Sequence, residues 1–169
     1  MPELQIRDEA PQDHAAIYEL TQRAFEGRPY AGGDEQDVVN RLRDQGALQV
    51  SLVAVEGLRV VGQITFSPAI CSDGTAPWFA LGPVSVEPDC QSRGIGSLLI
   101  NRGLDIIRAD GALGCILTGN PEYYQRFGFV VSPSLAPDNE PGEFFMVKYL
   151  AAEAAGGQFT FHPAFYGDH

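Results

Sequence analysis

Hydrophobic positions change their period along the chain, and the changes mark out its elements. Residues 4–7 alternate apolar and polar, the period of a first strand. Over 13–25 the apolar Ala16, Ile17, Leu20, Ala24 and Phe25 recur at helical spacing and predict an amphipathic helix. The run Glu26, Gly27, Arg28, Pro29, Tyr30, Ala31, Gly32, Gly33 then breaks regular structure. Asp34 stands as cap of a second helix through Gln45, with Val38, Val39 and Leu42 inward. Residues 48–55 and 60–67 form a hairpin about the turn at 56–59, and Pro68 stops or bends the pairing. A turn at 72–75 makes 78–86 the returning strand, so three antiparallel strands precede a glycine-bearing loop.

Beyond that loop a third helix runs over 94–110, with Ile95, Leu98, Leu99, Ile106 and Ile107 on its buried side and Gly111 as its C-cap. Residues 112–118 are apolar enough for a central strand, and the crossover through the helix makes it parallel to 78–86. Pro121 opens a short helix through Phe127, which Gly128 ends. Residues 132–142 hold three prolines and read as a loop, 143–150 as a strand, 151–158 as a loop or short turn, and 159–162 as a candidate last strand. No repeat, low-complexity tract or linker divides residues 1–169, which predicts a single domain.

The stretch Leu81-Gly82-Pro83-Val84-Ser85-Val86 leads through Glu87-Pro88-Asp89-Cys90 into Gln91-Ser92-Arg93-Gly94-Ile95-Gly96-Ser97. Glycines at alternate positions bare the backbone where a helix begins. The amides of Arg93, Gly94, Ile95, Gly96 and Ser97 can then face a phosphate oxygen, helped by the helix dipole. A dinucleotide fingerprint would need a third glycine where Leu99 stands. A nucleoside-triphosphate loop would need Gly-Lys-Ser or Gly-Lys-Thr, and the one lysine is Lys148. Within the strand, Gly82 and Pro83 weaken a hydrogen-bond ladder and predict a bulge. A strand bent there opens a slot whose unpaired backbone groups suit an extended, amide-bearing ligand.

Gln91-x-x-Gly94-x-Gly96 directly after a strand resembles the cofactor motif of the GNAT superfamily of acyl-CoA N-acyltransferases. A second segment, Asn120-Pro121-Glu122-Tyr123-Tyr124-Gln125-Arg126-Phe127-Gly128-Phe129, resembles that superfamily's later Asn…Tyr-x-x-x-Gly-Phe motif. Together with Leu81-Gly82-Pro83, these segments are most similar to its small bacterial YhbS-like branch, over residues 4–150. The resemblance implies an α+β fold: a mostly antiparallel twisted mixed sheet, a parallel β-α-β pair splayed at the bulge, and helices on both faces. It implies acetyl-CoA as co-substrate, with Val84, Ser85, Val86, Gln91, Ser92, Arg93, Gly94, Ile95, Gly96, Ser97, Asn120, Tyr123 and Phe127 as its binding residues. Asn120 matches the asparagine that bonds the pantetheine arm. The region of Phe25, Glu26 and Tyr30 corresponds to one that often lines the acceptor site.

Acyl transfer from a thioester needs a held thioester, a polarised carbonyl, a neutral amine and a proton for the leaving thiolate. Backbone amides near Val84, Ser85 and Val86 suit the polarising role. Tyr124 matches the family's general acid; a phenol, with a reference pKa of about 10, holds its proton at neutral pH. Tyr123 competes, since helical neighbours point about 100° apart. In the histone-modifying branch a glutamate base lies on the strand before the loop, and Ala80 stands in the matching place. Glu26, Glu35, Glu87 or a water-mediated exit are the remaining bases. The expected activity is N-acetylation of a primary amine of a small molecule or peptide; the alternative is a non-catalytic acyl-CoA sensor that keeps only the loop.

Composition narrows the partners. A 44% hydrophobic and 20% charged chain is ordinary for a soluble domain. With no signal segment and no long apolar run, the expectation is a cytoplasmic protein without membrane contact. Cys71, Cys90 and Cys115 read as reduced thiols, and His14, His162 and His169 show no metal-ligand spacing, so no metal is expected. The net charge of −11 argues against nucleic acid and favours a cationic acceptor. It also sets a tension with an anionic cofactor, which Arg93 and Arg126 are placed to relieve locally. A homodimer is compatible with this reading.

Overall fold

The computed structural model of the chain describes residues 3–28 and 33–167. Within them the elements are β1 (Leu4–Asp8), α1 (His14–Phe25), α2 (Glu35–Asp44), β2 (Val50–Glu56), β3 (Arg59–Cys71), β4 (Trp78–Val86), α3 (Ile95–Ala109), β5 (Gly114–Thr118), α4 (Pro121–Tyr124), β6 (Val130–Val131), β7 (Phe145–Tyr149) and β8 (Phe159–Thr160). Hydrogen-bond pairing orders the strands β1-β2-β3-β4-β5-β7-β6, with β8 joining β3 off that path. β4 and β5 pair in parallel, the outcome of the crossover through α3. The pairs β1–β2, β2–β3, β5–β7 and β6–β7 are antiparallel. The result is the mixed sheet with one parallel crossover that the alternation of periods predicts.

Contacts gather into two units. One comprises the described residues up to Phe66, Gly82–Leu104 and those from Pro163 onward; the other comprises Ser67–Leu81 and Asp105–His162. In the first, Ile17 of α1 and Val39 of α2 pack on Val53, Val55 and Val60. The register pairs Ala54 with Gly62 and Val53 with Gln63, so Gly62, Ile64 and Phe66 point to the opposite face. There α3 settles: Ile95 and Leu99 close over Gly62, and Gly103 lies against the Phe66 ring. Helices therefore cover both faces of this unit's strands. The segment Pro163–Tyr166 returns to α2, with Ala164 in the cluster of Val38 and Leu42 and its carbonyl accepting from Arg41 Nε at 2.8 Å.

The second unit is built on an aromatic cluster. Trp78 meets Phe159 edge-on at 4.8 Å and Tyr149 at 6.1 Å, and Phe145 touches both Phe159 and Phe161. Gly114 is required beside Trp78, since a Cβ there would stand 2.5 Å from the indole. Asp73 fastens the turn before β4: it accepts from the Thr75 amide and hydroxyl and from the Gly156 amide. Thr75 in turn accepts from the Trp78 indole N–H.

Four expectations change. The strand read as 60–67 runs on to Cys71, although its pairing with β2 does stop just before Pro68, as expected. Proline is tolerated because it falls where partners change: pairing with β2 ends at Phe66 and pairing with β8 begins at Ile70. Asp34 sits at the N-cap of α2, but its carboxylate takes Arg41 at 3.0 Å and caps no amide. Leu98 is half exposed, outside the stripe formed by Ile95, Leu99 and Ile107. The two-residue β6 lies inside a stretch with no strand period, formed because its backbone completes β7.

Replacing Gly103 by Ala would set a Cβ 2.1 Å from Phe66 Cε1. This overpacking is expected to destabilise the fold by about 1–3 kcal/mol, read as a lower urea midpoint at unchanged m-value. Acid should also weaken the fold. Hydrogen bonds from Arg7 and then the Ala10 amide hold the Asp13 carboxyl below the usual range, and those from Thr75 do the same for Asp73. A depressed native pKa contributes stability in full above the unfolded value of about 4, and that stability is lost as pH falls through the native value. The urea midpoint should therefore drop from about pH 4 downward, and Asp13→Asn should flatten that slope.

Candidate active site

After β4 the chain makes a short 3-10 turn, Pro88–Cys90, and then bends through Gln91 and Ser92 into α3. Two left-handed residues shape the bend, Ser92 at φ +67° and Gly94 at φ +81°. The conformation suits glycine at Gly94; at Ser92 it costs about 1 kcal/mol, strain of the sort that collects where a ligand is held. The first helical bond recorded runs from the Leu98 amide to the Gly94 carbonyl at 3.1 Å. The amides of Ile95, Gly96 and Ser97 precede it, as the opening turn of any helix dictates, and nothing lies within 4 Å of a Cβ built on Gly94. The bend thus presents bare donors and a positive dipole end to open space.

Gln91 closes the base of this cradle. Its Nε2 donates to the Val86 carbonyl at 3.1 Å, while its Oε1 accepts from Arg28 Nη2 at 3.1 Å. Arg28, from the segment after α1, is a participant that periodicity does not reveal; only a glutamine with two partners to find hints at it. Arg93 is engaged with Glu56 at 2.5 Å and Arg59 with Asp89 at 2.9 Å, so these two cations beside the bend already have anionic partners. Ion pairs this exposed are worth about 0–1 kcal/mol, which a phosphate can outbid.

The strand entering the bend departs from ladder geometry where Gly82 and Pro83 predict. Parallel pairing with β5 covers Trp78, Phe79 and Ala80 and goes no farther, although β5 continues to Thr118. Gly82 has φ +131°. Its carbonyl accepts from Thr65 Oγ1 at 2.9 Å, and that of Pro83 accepts from Gln63 Nε2 at 3.1 Å. Ser85 is buried, with its hydroxyl between Gln63 Nε2 (2.6 Å) and Thr21 Oγ1 (3.0 Å), while Val84 and Val86 are half-buried.

In the second unit Asn120 caps α4, its Oδ1 accepting from the Glu122 amide at 3.0 Å. That bond uses the carbonyl end of its side chain. Gly128, at φ +91°, ends the turn after Phe127, which is buried. Tyr123 and Tyr124 are half-buried and meet edge-on at 5.0 Å. They differ in surroundings: the Arg126 guanidinium lies over the Tyr123 ring at 4.7 Å, whereas Tyr124 rests on Gly119 and beside Phe129. A Cβ on Gly119 would come within 2.7 Å of the Tyr124 ring, so Gly119 fixes where that ring lies. Its role is invisible in sequence, where a glycine at the end of a strand reads as an ordinary turn.

The candidate bases separate clearly. Glu87 is buried and grips Arg23 through both oxygens, at 2.9 and 2.5 Å. Glu26 is exposed at the end of α1, and Glu35 accepts from the Gly33 amide. Both line a recess of about 560 Å³ together with Phe25, Arg23 and Arg28. Tyr30 lies outside the described residues. Ala80 is fully buried against its β5 partner Ile116, with no room for a charge. All three cysteines are free and buried. No helix among the described residues is long and apolar enough to cross a membrane.

Known proteins share this arrangement. The acetyltransferase (GNAT) domain profile matches residues 5–132. The uncharacterized N-acetyltransferase YhbS of Escherichia coli K12 is 33% identical over 161 residues, 90% of each chain. Among solved structures, a GNAT family acetyltransferase from Brucella melitensis in complex with acetyl-CoA superposes with a TM-score of 0.86 at 38% identity, covering 98% of this chain and 99% of that one. Escherichia coli YhbS in complex with CoA gives 0.88 at 28% identity, over 98% and 93%. With its cradle at the start of α3, its parallel pairing broken off at Ala80 and these relatives over most of its length, the chain belongs to the GNAT acetyltransferase family.

Proposed function

We propose that the chain transfers the acetyl group of acetyl-CoA to a primary amine of a small molecule or peptide. The observation that carries this reading is the set of amides at the start of α3, bare and dipole-backed, at the end of a strand whose pairing with β5 has stopped at Ala80. Two of the relatives hold acetyl-CoA or CoA, which supports the same ligand here. Main-chain dipoles bind a pyrophosphate whatever the net charge, which suits a chain carrying −11.

Acetyl-CoA, when bound, supplies an acetyl group activated as a thioester. The amides of Ile95, Gly96 and Ser97 hold its phosphates, with Ser92, Arg93 and Gly94 shaping the bend and Gln91 closing it. Backbone groups of Val84, Ser85 and Val86 bond the amide-bearing arm in the manner of an added strand and polarise the acyl carbonyl. Asn120 bonds the arm through Nδ2, and Tyr123 and Phe127 flank it. Nitrogen–carbon bond formation accompanies carbon–sulphur cleavage, and the Tyr124 hydroxyl gives its proton to the departing thiolate. The amine's own proton leaves to water or to a recess carboxylate, Glu26 or Glu35. Those carboxylates favour a cationic acceptor in the recess beside Phe25.

A thiol-release assay with acetyl-CoA and a panel of amines tests the reading; coenzyme A binding without turnover on any amine points instead to a sensor. Tyr124→Phe is expected to lower kcat about 100-fold while coenzyme A affinity stays within about twofold. Tyr123→Phe should do far less, and the reverse order would reassign the acid. Gly119→Ala should displace the Tyr124 ring and cost about tenfold in kcat, with no further loss when combined with Tyr124→Phe. Gly94→Val, which forces a branched side chain to φ +81° and into the cradle, should weaken coenzyme A binding by about tenfold or more, measured by calorimetry.

A further inference from the structure

Three alternating residues of β3, Gln63, Thr65 and Ser67, are polar and fully buried. In a strand such alternation marks a solvent face, so their burial calls for a reason. For Gln63 and Thr65 the reason lies in β4. Thr65 Oγ1 donates to the carbonyls of Gly82 (2.9 Å) and Pro83 (3.3 Å). Gln63 Nε2 donates to the Pro83 carbonyl (3.1 Å) and to Ser85 Oγ (2.6 Å), and Ser85 Oγ is tied to Thr21 of α1 at 3.0 Å. All four side chains are buried.

Direction is fixed at the Gln63 end of this network, whereas either hydroxyl of the Thr21–Ser85 pair can donate. The Pro83 carbonyl can only accept, so the Gln63 amide must present its nitrogen, and its Oε1 is left buried without a partner. A buried acceptor with no donor is destabilising, a penalty that an apolar residue at the same place would avoid. The penalty is incurred where two side chains stand in for ladder partners at the irregular step of β4.

We infer that Gln63 and Thr65, braced through Ser85 by Thr21, are positioning residues for acyl-CoA binding. They hold Gly82 and Pro83 in their irregular path and so set the direction in which the backbone of Val84, Ser85 and Val86 meets the ligand. The inference rests on the acyl-CoA reading proposed above and adds the residues that prepare its strand. None of the four side chains touches the ligand; they act through the main chain of β4.

Thr65→Val removes the donor at constant shape, and Thr65→Ser keeps it. Titrating coenzyme A into the folded proteins by calorimetry should give a Kd raised about tenfold for Thr65→Val, the scale set by one lost buried hydrogen bond, and within about twofold of wild type for Thr65→Ser. A Thr65→Val protein that loses thermal stability yet binds coenzyme A like wild type overturns the inference, because the network would then serve the fold alone. Should Thr65→Val fail to fold, Gln63→Met carries the same comparison. Wild-type protein that takes up no coenzyme A at millimolar concentration overturns the acyl-CoA reading and this inference with it. Wild type that binds alongside variants that bind equally well overturns this inference only.

Discussion

A buried peptide group must find a partner, and β4 cannot find all of its partners in a ladder. Pro83 has no N–H to give and Gly82 adopts a φ of +131° that no regular strand shares. Parallel pairing stops at Ala80, and side chains from β3 answer the carbonyls that follow. The same break makes backbone available further along the strand. A strand perfectly paired on both edges could not serve an extended ligand, so the defect and the capacity to bind have one cause. α3 then follows so closely that its unbonded opening amides lie at the end of the irregular strand.

Electrostatics follows from how little of the site's attraction depends on net charge. The chain is strongly acidic, yet main-chain amides and a helix dipole are indifferent to distant carboxylates once these are screened over about 10 Å. Arg28, Arg59 and Arg93 stand nearby but are each engaged, with Gln91, Asp89 and Glu56. Such exposed contacts are weak enough to exchange for a phosphate, so on the proposed reading the arginines are reserves while the backbone sets the geometry.

Periodicity made most of the fold legible, because both unit cores are built from residues whose spacing already commits them to one face. Ile17, Leu20, Val38, Val39 and Leu42 are buried where helical spacing puts them. Strand 78–86 has the bounds read from its flanking turns. The irregular backbone on either side of the bend was legible too, since Gly82 at φ +131° and Gly94 at φ +81° take conformations that glycine suits. Relations across the chain were not. Gln63 and Thr65 look like a solvent face until the carbonyls they serve are known; Gly119 looks like a turn until the Tyr124 ring is seen on it. Pro68 was legible in part: pairing with β2 stops just before it, but the strand continues because β8 takes over as partner, which sequence does not reveal.

The proton balance of the proposed reaction turns on which carboxylates the chain places near β4. Ala80 leaves no carboxylate on the strand, and its burial against Ile116 shows that one could not be accommodated there without an unpaired buried charge. Glu87, the remaining acid closest in sequence to β4, is buried and has both oxygens committed to the half-exposed Arg23, so drawing it into proton transfer would give up both of those hydrogen bonds. The carboxylates left are Glu26 and Glu35, which line the recess after α1 together with Arg23 and Arg28. On the proposed reading the acceptor is therefore gathered as a cation and loses its proton to water or to a recess acid. The main chain of β4 and the phenol of Tyr124 then supply the stabilisation that a buried base would otherwise share.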